Sequence, residues 1–217
     1  MGRTVLTLAL VAAAAATAAD GRLARDLTKP GPETPSRPAA SPSPGARGEL
    51  VRVPGRSGLH GSGRVVRVAV EVEGELDVER AAFAAEVVRI LADRRSWGLA
   101  VRRTGTGTAD LTVTLASPET TDRLCAPLPT RGRYSCAQGG RAVLNVRRWL
   151  AGAPSYRGHL RRYRAYMVNH EVGHLLGRGH VSCPSAGSPA PVMVQQTKGL
   201  AGCRAHPWPL PWERLGL

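Results

Sequence analysis

The chain has 217 residues, a length that suits one domain with an appendage, and a formal net charge of +14. It is 42% hydrophobic but only 4% aromatic, so a core has to be built mostly from Val, Leu and Ala. Nearly all the positive charge is arginine, the only lysines being Lys29 and Lys198, and it is scattered through every segment. With no long basic run and no aromatic platform between the arginines, the footprint of a nucleic-acid binder is excluded. A solvated basic surface, or attraction to anionic wall polymers or acidic substrates, remains.

The first predicted element is an export signal. "MGRTVLTLALVAAAAATAAD" has one early arginine, an uncharged run, then small residues with an A-T-A site ending near Ala18. Residues 1–19 therefore read as a cleaved signal peptide and the product as secreted or held at the extracellular surface. The apolar run is short for a bilayer span of about 20 residues, which leaves an N-terminal anchor as the alternative. Residues 20–60, rich in Pro, Gly, Ser and Arg, hold too few large apolar side chains to offset chain entropy; they read as a disordered linker or pro-segment.

The folded domain is expected over 61–217. "RVVRVAVEVEG" alternates as a strand, and "LDVERAAFAAEVVRILAD" is a helix of about 16 residues with Val78, Ala82, Ala85, Val88 and Leu91 near one face. "LAVRRTG" and "ADLTVTLAS" are two more strands, followed by a loop with Cys125 and Cys136, and "RAVLNVRRW" is a fourth strand candidate. A second helix runs from about His159 to Leu176. This order predicts an α/β or α+β fold, a mixed sheet with two main helices packed on it. Cys125, Cys136, Cys183 and Cys203 are an even number in an exported chain and predict disulfides. Three pairings are open; nearest neighbours close two short loops, with Cys183–Cys203 stapling the segment around Met193. No C-x-x-C pair suggests a cysteine zinc site.

The second helix ends in "NHEVGHLLGRGH". At about 100° per residue, His170 and His174 share one face with Tyr163, Tyr166 and Met167, while Ala165, Val168, Val172 and Leu175 lie on the other. Histidines at i and i+4 project in parallel and place two nitrogens on one zinc ion. Gly177 is suited to a left-handed conformation that ends the helix and swings His180 round as the third ligand. Three protein ligands leave a fourth position for water, as in catalytic sites, and Glu171 stands where it could take that water's proton.

His170, Glu171, His174, Gly177 and His180 together resemble the metzincin signature of zinc endopeptidases. The resemblance implies one Zn2+ per chain, an active-site helix followed by a small irregular C-terminal subdomain, and a methionine turn beneath the metal, for which "PAPVMVQQTKG" supplies Met193. More closely, the run from Tyr166 to Pro209 is similar to an actinobacterial exported family of unknown function with a metzincin-like motif, over about residues 50–217. Two departures stand out. "RAHPWPLPWERLGL" is too short and proline-rich for the long C-terminal helix that metzincins commonly carry, and Gln195 occupies the position where some have a zinc-side tyrosine. Gln195, Gln196 or Tyr166 are candidates to assist in its place.

The expected function is a secreted, monomeric zinc endopeptidase acting on protein or peptide substrates, with Glu171 as general base. Either "RAVLNV" or the stretch near Tyr134 would be the edge strand that holds substrate. The alternative is an exported wall-associated basic binding protein with a non-catalytic zinc site.

Overall fold

The computed structural model describes residues 48–216; the expected signal segment and most of the expected linker lie outside the described residues. Seven strands form one mixed sheet: β1 (Leu50–Arg52), β2 (His60–Gly61), β3 (Arg64–Glu73), β4 (Leu99–Arg103), β5 (Leu111–Ala116), β6 (Cys136–Gln138) and β7 (Arg141–Asn145). The order is β2-β4-β3-β5-β7-β6, with β3, β4, β5 and β7 parallel and β2 and β6 antiparallel at the two ends. Four helices accompany it: α1 (Arg80–Leu91), α2 (Pro118–Cys125), α3 (Val146–Ala151) and α4 (Leu160–Leu175). The α+β expectation holds.

Strand alternation decides which face is the core. Val66, Val68, Val70 and Val72 of β3, Leu111, Val113 and Leu115 of β5, and Ala142 and Leu144 of β7 point to the side covered by α1 and α4. On the other side Ala116 and Val143 meet Cys125 and Cys136, a second small core under α2. Toward the centre of the sheet this second face carries charge instead: Arg67 pairs with Asp110 at 2.8 Å, and Arg141 with Glu71. The nine aromatic residues are spent economically. Phe83, Trp97, Trp149, Tyr156, Tyr163 and Tyr166 are all buried in the main core.

Several sequence expectations need correction. The domain starts earlier than residue 61: β1 pairs antiparallel with β3 over Glu71–Glu73, the part of that edge beyond β4, and Val53 is buried. In α1 the buried residues are Phe83, Ala84, Val87, Val88, Ile90 and Leu91, whereas Ala82 and Ala85 are exposed, because the larger side chains claim the sheet. The helix has 12 residues and begins where the Glu79 carboxylate accepts from the Ala81 and Ala82 amides. Cys125 and Cys136 are not loop residues; they end α2 and begin β6. "RAVLNVRRW" is a strand only to Asn145, whose side chain accepts from the Arg147 amide and starts α3.

Nearest-neighbour disulfide pairing is found: Cys125 with Cys136 and Cys183 with Cys203. The second closes 20 residues around Met193, a constraint worth about 3 kcal/mol in the chain-entropy model. Among the described residues no helix is long and apolar enough to cross a membrane.

Candidate metal centre

Helix α4 crosses the sheet and is buried almost all round, with Tyr163 and Ala165 through Gly173 shielded from solvent. The two-faced helix read from the sequence is therefore a central one, packed on the sheet by one side and by the irregular C-terminal segment on the other. Asn169 fixes it. Ser96 Oγ donates to its Oδ1 at 2.7 Å, Trp97 Nε1 to its carbonyl at 3.0 Å, and its own Nδ2 donates to Pro207 O at 3.1 Å.

The helix stops at Gly177, whose φ of +83° only glycine adopts without strain. The Arg178 amide bonds Gly173 O and the Gly177 amide bonds His174 O, the Schellman arrangement. Nothing lies within 4 Å of an added Cβ there, so the requirement is conformational and not one of space. The turn has a second use: Arg178 O faces His174 Nδ1 at 2.8 Å. It also returns the chain so that His180 meets the helix.

His170, His174 and His180 come together, each offering a ring nitrogen, with the three atoms within 4.8 Å of one another. His170 Nδ1 donates to Val192 O at 2.8 Å, so both helix histidines are held as Nδ1–H tautomers with bare Nε2 atoms turned to the shared space. His174 Nε2 and His180 Nε2 lie 3.1 Å apart. Ligand nitrogens on a tetrahedral zinc at 2.0–2.1 Å would lie about 3.3 Å apart, so the donor set fits such an ion. Burial holds all three imidazoles below the usual histidine range, His170 down to about 3, with Lys198 adding repulsion at His170 and His180. They are neutral, the form that ligates. This cluster could hold a metal ion.

Glu171 is 5% exposed and borders the same cleft, and no protein group among the described residues hydrogen-bonds its carboxylate. Burial pushes that carboxyl up to about 8; a cation on the histidines would draw it back down. Its oxygens are not sealed in the core and open on the cleft.

Met193 is 1% exposed and sits against α4 at Gly173. Its segment is held from two directions. Glu213, in the short 3-10 turn Pro211–Arg214, accepts from the Val192 and Met193 amides at 2.9 Å. From α4, Tyr166 OH donates to Val194 O at 3.0 Å and accepts from the Gln196 amide at 2.8 Å; Tyr163 OH meets Thr197 Oγ1 at 3.0 Å. Gln196 Oε1 accepts from Tyr156 OH at 2.9 Å, and its Nε2 donates to Pro191 O and His206 O. Gln196 is thus committed to holding this segment and does not line the cleft, whereas Tyr166 lines it with a hydroxyl hydrogen already given to Val194 O. Gln195 lines it.

Gly173 was not singled out by the motif. A Cβ there would stand 2.5 Å from Met193 Sδ and 2.6 Å from Trp97 Cζ2. Gly173→Ala gains up to about 1 kcal/mol of helix propensity but overpacks a filled core at about 1–3 kcal/mol, so a net loss of stability is expected. Displacing Met193 also moves the Val192 carbonyl that orients His170, and metal affinity should fall about 10–100-fold. Chelator competition would measure it, and wild-type affinity would refute the link.

The cleft has a volume of about 380 Å³ and is walled opposite the histidines by Leu128, Pro129, Tyr134 and β6. β7 pairs on both sides, with β5 and β6, so "RAVLNV" cannot be the free edge; β6, just after Tyr134, is. Lys198 Nζ lies 5.1 Å from the Tyr134 ring centroid at the rim. A larger hollow of about 610 Å³ beside α1 and β2 contains none of these groups.

The family model that matches the chain, over residues 38–208, is described as "protein of unknown function (DUF3152)". A search of curated proteins finds no match.

Proposed function

Given a chain that belongs to the DUF3152 family, whose description leaves activity open, we propose from the site itself that it is a secreted zinc endopeptidase. The observation that carries this is Glu171: a largely buried residue whose carboxylate has no protein partner among the described residues and opens on a cleft, one residue from a three-histidine cluster. A metal held for stability alone needs no such group, which disfavours the reading as a wall-binding protein with an inert site. Zinc bound at His170, His174 and His180 would supply a Lewis acid and an acidified water.

The chain's own residues supply the rest. Val192 O and Arg178 O hold the two helix imidazoles in the ligating tautomer. Glu171 takes a proton at its carboxylate and returns it to the leaving amine, acting as base and then as acid. The unpaired outer edge of β6 offers backbone groups along the cleft, suited to an extended peptide added as a further strand. Two disulfides fit an oxidising, extracellular setting.

The test is direct. The zinc-loaded protein is incubated with a complex peptide library and the products are read by mass spectrometry. Cut peptides that vanish when a chelator removes the metal are expected. Their absence from the zinc-loaded reaction would refute the proposal.

A further inference from the structure

Away from the histidine cleft, two adjoining hollows of about 480 and 290 Å³ meet at Arg162 on the first turn of α4. Arg89, Arg95 and Arg161 line the first, and Arg157 and Arg204 the second. All six guanidinium groups are on exposed residues, and no carboxylate lines either hollow. Two are neutralised from outside: Arg89 pairs with Glu86 at 2.6 Å and Arg95 with Asp93 at 2.7 Å. Arg157, Arg161, Arg162 and Arg204 form no ion pair among the described residues, although Arg161 is near enough to act on Glu86.

These side chains are not simply a solvated fringe. Arg162 Nη2 donates to Ala205 O at 3.1 Å, Arg204 Nε to Gly187 O at 2.7 Å, and Arg95 lies 4.3 Å over the Trp208 ring. Held this way, each guanidinium keeps further N–H groups turned outward at a reduced entropy cost on binding. Guanidinium forks match phosphate oxygens bidentately.

We propose that this paired hollow binds a linear polymer of phosphate groups, one chain running across both halves through Arg162. Two separate hollows, both lined by arginines and sharing Arg162, favour a polymer over a single anion. The aromatic face of Trp208 is already covered by Arg95 and Tyr156 is buried, so neither of these rings offers a platform for stacking bases. None of the large exposed apolar side chains lines either hollow, so nothing there would wedge into a lipid bilayer. The two disulfides fit an oxidising setting outside the cytosol, where such polymers would be met.

The test uses the full chain and inorganic polyphosphate as probe, titrated across a sodium chloride series. The variant Arg157→Gln/Arg161→Gln/Arg162→Gln should bind at least about tenfold more weakly, and its log–log salt slope should drop by about 2–3 as three phosphate contacts are lost. The control Arg56→Gln/Arg64→Gln/Arg102→Gln removes the same charge from elsewhere and should stay within about twofold of wild type, with its slope unchanged. Zinc content and melting temperature should not change in either. Arg157→Gln/Arg161→Gln, which breaks no hydrogen bond to the backbone, covers the case in which the triple variant fails to fold, and should show a smaller loss in the same direction. Equal losses in the two triple variants would overturn the proposal in favour of bulk charge. Binding to duplex DNA or to phosphatidylglycerol vesicles that polyphosphate does not displace would also overturn it. Peptide hydrolysis is not used in this test, so it stands or falls apart from the proposed activity.

Discussion

Glu171→Gln is expected to leave the metal in place while peptide hydrolysis falls by at least about 10²–10⁴-fold, the usual worth of general acid–base help. Glutamine matches the size of glutamate, and the carboxylate makes no protein hydrogen bond among the described residues, so no packing or polar partner is lost. The histidines take their orientation from Val192 O and Arg178 O, not from Glu171. Melting temperature should therefore stay close to that of wild type, since the variant removes no protein contact. Rate measurements at matched zinc occupancy check the first half of this, and calorimetry the second. Loss of zinc together with activity would make Glu171 a ligand or structural residue.

His170→Ala is expected to lose the metal. Zinc binding energies of about 10–16 kcal/mol over four ligands come to about 3 kcal/mol each, so one ligand is worth at least about 100-fold in affinity. His170 should be the most costly of the three. It is 5% exposed, is pinned by Val192 and stacks on His180 at 5.2 Å, so no water easily replaces it. His174→Ala and His180→Ala should fall in the same range from positions open enough for water to enter. Zinc content after dialysis is the readout, and full occupancy in any of the three variants would break the three-histidine assignment.

Much of this site was legible because its chemistry is local. The motif lies within 11 consecutive positions, His170 to His180, and helical spacing plus one glycine suffices to converge the three rings. The bounds of α4 lie within one residue of those expected from the pattern, because a long helix carries enough periodicity to define itself. Short elements do not. α3 has six residues and follows a strand without a break, so its Val146 and Trp149 extended an apparent apolar run; Asn145 was the available sign of a helix start. β1 is three residues in a Gly- and Arg-rich stretch and exists only because β3 leaves part of an edge open.

The supporting groups were hidden for a different reason. Glu213 reaches Val192 and Met193 from about twenty residues further on, and Ser96 and Trp97 reach Asn169 from over seventy residues earlier. Such pairings follow from the fold and leave no spacing to read. Gly173 did leave a sign, since glycine inside a helix costs about 1 kcal/mol against alanine and asks for a reason. That reason is the approach of Met193 and Trp97.

The most direct test of the central claim sets wild type beside Glu171→Gln, each carrying one zinc per chain, on the same peptide library, with cut products counted over time by mass spectrometry. Wild type is expected to cleave peptides at internal bonds and the variant almost none. Equal product from both proteins, or none from zinc-loaded wild type, would contradict that claim.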